Sequence, residues 1–317
     1  MNNRPYISII IPAYNAQGTI RTCIRSVQVQ NYSEKAFEII IVDDGSTDNT
    51  VDLLESLSLA DNVHIYTHNK NRGLAAARNT GIAHSKGNII IFLDADMEVT
   101  TDFIESHVKL HQNPMVQGVV SDLLPAPEFP NDKYQKYLYR SRRGAKKYPA
   151  DSPLPFTVFL FNCTSVKKKT LDQVGLFDDQ ITRYGGEDTE FAYRLWQKYP
   201  EGLYYAPHIK VVHHHYRPFN KVLKNVETFG REVVPYLVQK HPEFDKLYSF
   251  SFIFPSKSLR GIAKKLIGKL VISDFSRYFL TALYHLLPYP FSNRIIRLRL
   301  AAALWCGIYQ LKTASLK

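Results

Sequence analysis

Short, nearly pure apolar runs recur along the first hundred residues. Ile7–Ile11, Phe37–Val42, Val63–Tyr66 and Asn88–Leu93 read as strands. Helical spacing fills the gaps: Gly18–Gln28, a segment capped by Thr47 or Asp48 that runs through Val51, Leu54 and Leu57, and Leu74–His84. Ile and Val runs without polar alternation fit parallel strands covered on both faces. The pattern therefore predicts an α/β, doubly wound, Rossmann-like sheet, with ligands bound outside the carboxyl ends of its strands.

The middle of the chain is less regular. Thr100–Gln112 reads as a helix and Val116–Val120 as a strand. Leu123–Pro155 is rich in Pro, Tyr and basic residues and reads as a loop. Phe156–Phe161 reads as a strand and Glu187–Lys198 as a helix. One strand through Tyr204 and Tyr205 and another ending at His213 follow. No internal repeat or low-complexity tract interrupts this order.

Composition changes the picture little: 317 residues, 45% hydrophobic and 22% charged, suit one large or two small globular domains. Three scattered cysteines, Cys23, Cys163 and Cys306, make neither a disulfide framework nor a zinc ribbon, and point to a reducing, cytoplasmic location. Pro12 cuts the Ile7–Ile11 run too short for a signal-peptide core. Charge is more informative. Of a net +11, all but one unit comes from Pro255 to Lys317, where eleven Lys or Arg face the single acid Asp274. A near-neutral body with a basic, apolar tail suggests an anionic membrane surface rather than nucleic acid.

The polar residues at the strand ends carry the candidate chemistry. Asp94-Ala95-Asp96 could hold one Mg²⁺ or Mn²⁺ between protein and phosphates, or could simply be a cap and a solvated acid. Asp43-Asp44-Gly45-Ser46 could accept hydrogen bonds from a base or ribose, or form a turn. In Pro12-Ala13-Tyr14-Asn15, Tyr14 could stack a nucleobase or sit in the core. Gly185-Gly186-Glu187-Asp188 opens a helix whose dipole favours carboxylates; one of them could deprotonate an attacking hydroxyl. Of His213-His214-His215, alternation along a strand lets one or two at most meet an ion.

Taken in order, these segments resemble the family 2 glycosyltransferases, which have the GT-A fold. The resemblance runs through Pro12–Asn15, Ile41–Asp48, Asn71–Gly81, Phe92–Asp96, Val174–Asp178 and Gly185–Glu190, and spans roughly residues 6–220. It implies a mixed, mostly parallel sheet, with a nucleotide-sugar-binding half over 1–97, an acceptor-binding half over 98–220, and a helical, basic, amphipathic extension over 221–317. It implies that Pro12, Tyr14, Asn15, Asp43, Asp44, Arg78, Asp94, Ala95 and Asp96 line the donor, with Tyr14, Asp44 and Arg78 against the base, usually uracil. Asp96 would be the direct metal ligand and His213 a second metal contact, although His214 lies one register step away. Asp188 matches the general base and Glu187 a neighbouring acceptor-binding acid. One base without a nucleophile implies single displacement with inversion, from a donor that is a UDP-sugar by family preference, with GDP remaining open. The acceptor would be a saccharide or lipid-linked hydroxyl, and Arg140–Arg143 with Lys146 and Lys147 read either as its phosphate contact or as a solvated loop.

In the tail, Leu259, Ile262, Leu266, Ile267, Leu270 and Val271 form one apolar stripe over Ser258–Val271. Phe275, Tyr278, Phe279, Ala282, Leu283, Leu286 and Leu287 form a second, stopped by Pro288, and a third helix begins near Asn293 and runs through Trp305. None reaches the ~20 uninterrupted apolar residues that span a bilayer. Residues 257–311 are therefore expected at the inner face of a membrane, as a peripheral anchor suited to surface polysaccharide or glycolipid synthesis. Packing on the catalytic domain or a homo-oligomer is the competing use. A nucleotidyltransferase would leave Glu187 and Asp188 without a role, and an inactive scaffold does not explain the intact acids. The tail shows no base-stacking pattern on a sheet, which argues against nucleic acid.

Overall fold

The computed structural model describes residues 4–150, 152–249, 268 and 270–314. They fall into two compact units. The first comprises the chain up to Phe129, Ser141–Thr182 and Glu187–His215; the second comprises Pro130–Arg140, Arg183–Gly186 and the chain from Tyr216 onward.

The first unit is built on a mixed eight-stranded sheet: β1 (Ile7–Ala13), β2 (Phe37–Asp43), β3 (Val63–Thr67), β4 (Ile89–Leu93), β5 (Met97–Val99), β6 (Gly118–Pro125), β7 (Cys163–Lys167) and β8 (Leu203–His213). Their order is β3-β2-β1-β4-β7-β6-β8-β5. β3, β2, β1 and β4 are parallel neighbours, β7 runs antiparallel to β4 and β6, and β8 is parallel to β6. The runs of β1, β2 and β4 are buried throughout, as strands sandwiched between helices require, whereas the edge strand β3 is half-buried to exposed. Ile7, Ile9 and Ile11 pack with Ile20, Cys23, Ile24 and Val27 of α1 (Ile20–Gln28). Ile10 faces the other way, towards α3 (Leu74–His84). That contact is close enough to demand a glycine: a Cβ on Gly81 would lie 2.3 Å from the Ile10 side chain.

Several expected elements differ. Phe156–Phe161 is not a strand. Its first residues form a 3₁₀ turn, Phe156–Val158, and the pairing strand is β7, beginning at Cys163. Phe159 and Phe161 are nonetheless fully buried, so their apolar character reports packing and not pairing. The two strands expected across 203–213 are one strand, β8, with an irregularity in its register against β6: Ser121 pairs with Ala206 and the next residue, Asp122, with Lys210. Pro207 lies in the skipped stretch, where its missing N–H costs no ladder bond. Pro12 is tolerated inside β1 for a related reason, because the β4 ladder ends at Ile10. The expected loop Leu123–Pro155 contains α5 (Lys133–Tyr139), which Asp132 caps by accepting from the backbone of Tyr134 and Gln135 at 2.8 Å each. In the basic run, Lys146 donates to Asp122 at 2.7 Å and to the Leu123 carbonyl at 2.9 Å. It pins the loop to β6 and is not available as a phosphate contact.

The second unit is helical. It contains α5, α8 (Phe219–Glu232), α9 (Val234–Lys240), α10 (Phe244–Tyr248), α11 (Asp274–Leu286) and α12 (Ser292–Ala314). Tyr134, Tyr137, Phe219, Val222 and Ile296 form its core. α8 and α12 approach closely at two glycines: a Cβ on Gly307 would lie 1.9 Å from the Glu227 carbonyl, and one on Gly230 would lie 2.3 Å from that of Leu304. α11 and α12 match the second and third apolar stripes. The stripe over Ser258–Val271 lies, except for its last residues, outside the described residues. Among the described residues no helix is long and apolar enough to cross a membrane.

Beneath the sheet, α4 (Phe103–His111) contributes two buried imidazoles. His107 bonds Ser165 Oγ at 2.8 Å and Ser121 Oγ at 3.0 Å, and His111 bonds the same Ser165 Oγ at 2.8 Å. Burial pushes both pKa values down to about 3. The unfolded chain takes up protons near 6.5, so the stability these neutral rings contribute is complete above that pH and is lost as pH falls towards 3. Between pH 7.5 and 5, urea unfolding of the native chain should therefore lose about 2 kcal/mol per histidine more than a His107→Gln/His111→Gln variant does. Identical pH slopes would contradict this.

Candidate active site

The carboxyl ends of β1, β2 and β4 converge on one cleft, and local hydrogen bonds fix their loops together. After β1, Asn15 adopts a left-handed backbone (φ 51°), which lets its side-chain oxygen accept from Thr47 N at 2.8 Å. Its own N–H donates to Ser46 Oγ at 2.9 Å. Tyr14, beside it, is 48% exposed and so belongs to the cleft surface and not the core. Pro12 is buried within β1. Asp43 is fully buried, and its carboxylate closes the turn onto Ser46 N and Oγ. Both residues support the loop on which Tyr14, Asn15 and Asp44 stand.

Asp44 is also buried. It accepts from Arg72 N at 2.9 Å, Gly73 N at 2.8 Å and the His68 ring at 2.6 Å, and His68 continues to Thr80 Oγ1 at 2.9 Å. It thereby clamps the loop that starts α3. Gly73, at φ 94°, has the conformation a side chain would strain, and it precedes the first residue of that helix.

Arg78, which the resemblance places against the base, stands on α3. Its side chain is buried and held in a ring of acids. Nη1 is 2.5 Å from Asp188 Oδ1 and 3.8 Å from Glu187 Oε1, while Nη2 is 3.2 Å from Asp94 Oδ1 and 3.2 Å from the Phe161 carbonyl. The guanidinium also stacks over Phe177 at 5.3 Å. Asp188 accepts in addition from Phe161 N at 3.2 Å. Asp94 donates its own N–H to the Asn162 carbonyl at 2.9 Å, so the segment before β7 ties β4 to the start of α7 (Glu187–Lys198). The next residue on α3, Asn79, makes a reciprocal pair with the Phe177 backbone, 2.9 Å each way. The Arg-Asn pair in the motif could have pointed to this brace; sequence reasoning missed it.

Ala95 is buried, and Asp96 turns the chain into β5. β5 pairs with β8 so that Met97 lies opposite His213. His213 Nε2 stands 3.3 Å from Asp96 Oδ2. His214 points away, between Glu98 at 2.7 Å and Glu128 at 3.2 Å, and the His215 ring lies 6.4 Å from that of His213. The triplet thus presents His213 to the aspartates, as alternation along a strand requires.

Electrostatics favour a cation here. Three carboxylates, Asp94, Glu187 and Asp188, share one guanidinium, and a fourth, Asp96, faces His213. Burial, reinforced by Asp96 and Asp188, pushes the Asp94 carboxyl up to about 7 against the pull of Arg78. Burial and the charge of Asp188 push Glu187 up to about 8. For Asp96, burial acts upward but is outweighed by the His213 hydrogen bond and the charges of His213 and His215, which leave it below the usual range. Asp96 Oδ1 is buried without a hydrogen-bond partner. Among the described residues no three His, Cys, Asp or Glu form a closed metal cage. An open site of one or two carboxylates suits Mg²⁺ or Mn²⁺, which complete their shells with phosphates and water.

The profile of "Glycosyl transferase family 2" matches residues 8–175. The chain belongs to this family. Among similar family-2 proteins, the uncharacterised glycosyltransferase YfnE of Bacillus subtilis is 31% identical, the match covering 60% of each chain. Glycosyltransferase AglE of Haloferax volcanii is 29% identical over 72% of each. The match thus spans less than two thirds of YfnE. In fold, the family-2 chain is similar to the mannosyltransferase PcManGT of Pyrobaculum calidifontis, with a TM-score of 0.63 at 21% identity, covering 96% of this chain and 88% of that one. This supports the GT-A fold for the mixed sheet.

Removing the guanidinium from this family-2 site should leave three carboxylates uncompensated. Arg78→Met should cost about 3–5 kcal/mol in urea unfolding at pH 8. The cost should shrink by pH 6, because acids raised in the folded state take up protons there and folding gains stability as pH falls. A loss under 1 kcal/mol, or one that grows on acidification, would contradict the brace.

Proposed function

We propose that this chain transfers a sugar from a nucleotide-diphosphate sugar to an acceptor hydroxyl by single displacement, inverting the anomeric carbon. The observation that carries the reading is the Arg78 bridge: one guanidinium holds Asp94, from the Asp-x-Asp pair, beside Asp188, at the start of α7. Asp188 takes the proton of the acceptor hydroxyl as its oxygen bonds to the anomeric carbon, and the nucleoside diphosphate leaves from the opposite side with the bonding electron pair. Glu187, raised to about 8, holds a proton near neutrality and can donate a hydrogen bond to the acceptor. Arg78 orients both aspartates. Tyr14 offers its exposed ring to the base, and Asp44 shapes the loop beside it.

Asp96 would hold a Mg²⁺ or Mn²⁺ ion, with Asp94 and His213 beside it; the ion would neutralise charge on the departing diphosphate. UDP is the favoured nucleotide on the family resemblance, and the GDP-Man and Mn²⁺ in the PcManGT complex keep GDP as the second candidate. The acceptor is a saccharide or a lipid-linked sugar, as in surface polysaccharide or glycolipid synthesis, and the enzyme works at the inner membrane face. The basic tail supports that location.

Incubating the protein with UDP- and GDP-sugars should release nucleoside diphosphate in the presence of Mn²⁺ or Mg²⁺ and not in chelator. Asp96→Asn should abolish the metal dependence. Silence across the panel, without donor binding, would contradict the reading. Once an acceptor is in hand, Asp188→Asn should lower turnover by about 10²–10⁴-fold with donor affinity kept. Near-normal turnover would remove Asp188 from its role.

A further inference from the structure

α11 is apolar on opposite sides. On one side Tyr284 packs its ring against Phe219 at 5.1 Å, and Leu280 and Leu283 are half-buried. The other side carries Phe275, Tyr278, Phe279 and Leu286, exposed to 76%, 80%, 52% and 77%. With Ala282 these residues fall within an arc of about 100° at the helical period. The Phe275 and Phe279 rings stack 6.3 Å apart, so the stripe is a continuous aromatic surface. Large apolar side chains gathered on one exposed helix face mark a contact surface.

Charge decides what the surface meets. Arg294 and Arg297 are exposed on α12, and the only acid from Pro255 onward, Asp274, stands 3.7 Å from Arg277, which faces away from the stripe and reaches Cys306 of α12 at 3.8 Å. A second copy of the chain would bring like charges together. An anionic lipid surface satisfies both features, taking the rings at the headgroup–acyl boundary and the cations on its phosphates.

We propose that the outward face of α11 is a membrane-interface anchor selective for anionic lipid, with Phe275, Tyr278, Phe279 and Leu286 as the inserted residues. This deepens the reading of a membrane-surface enzyme given above, and it names the face that docks.

The test is flotation of the full chain with vesicles of phosphatidylglycerol and phosphatidylcholine, or of phosphatidylcholine alone. The native protein should float with the anionic vesicles and lose about tenfold or more of its partitioning in high salt or on neutral vesicles. A Phe275→Ser/Tyr278→Ser/Phe279→Ser variant should lose about tenfold or more on anionic vesicles, with its melting temperature and its donor hydrolysis in vesicle-free buffer unchanged. In a Phe279→Trp variant, emission should shift to the blue on anionic vesicles and be quenched by brominated lipid. Flotation of the triple variant like the native chain would overturn the proposal. So would a native dimer, seen by light scattering, that the triple variant splits while neither protein floats. Donor hydrolysis is read separately, so failure of the proposed reaction appears there and not in flotation.

Discussion

A buried guanidinium is the constraint on which the first unit's architecture depends. Taking Arg78 out of water is costly unless its charge is paired, and although Nε has no hydrogen-bond partner, both Nη groups find acceptors. The chain supplies acceptors from three places: Asp94 at the end of β4, the Phe161 carbonyl before β7, and Asp188 at the start of α7. These segments are far apart in sequence and cannot separate without exposing an unpaired charge. The brace therefore does structural and positional work at once, fixing the β4 terminus against the α7 terminus.

The same arrangement sets up an electrostatic tension. One guanidinium cannot neutralise three acids, so Asp94 and Glu187 resist ionisation, and Asp96 beside them keeps one buried oxygen unpartnered. Sites that break the rules of a well-satisfied core are where chemistry is expected. Asp43 and Asp44 make the contrast: both are buried, and their hydrogen bonds within the chain close a turn or a loop.

Much of this was legible in the sequence. The Ile and Val runs of β1, β2 and β4 have no stable place except inside a covered parallel sheet, and the carboxyl ends of those strands located Tyr14, Asp94 and Asp96. Alternation limited the histidines that could face the site to one or two, and the family resemblance put forward His213, which lies beside Asp96. Three things were hidden. Apolar content at Phe156–Phe161 looked like pairing, although those rings are buried without a ladder. The stretch from Tyr204 to His213 read as two strands, where β8 is one strand that accommodates Pro207 at an irregularity. The acid partners of Arg78 gave no signal, because nothing in a single sequence says that three distant carboxylates will meet it. In the tail the stripes predicted helices but not their partners: α12 is drawn tightly onto α8 at Gly230 and Gly307, whereas α11 keeps an apolar face in solvent.

The central claim is that the acids bridged by Arg78, with Asp96, form a diphosphate site completed by a divalent cation. Titration calorimetry of UDP and GDP, with Mn²⁺ and then with chelator, tests this most directly. The account expects one nucleotide to bind at least about tenfold more tightly with the metal, since a site so rich in carboxylates repels diphosphate without it. Equal affinity with and without metal would contradict it.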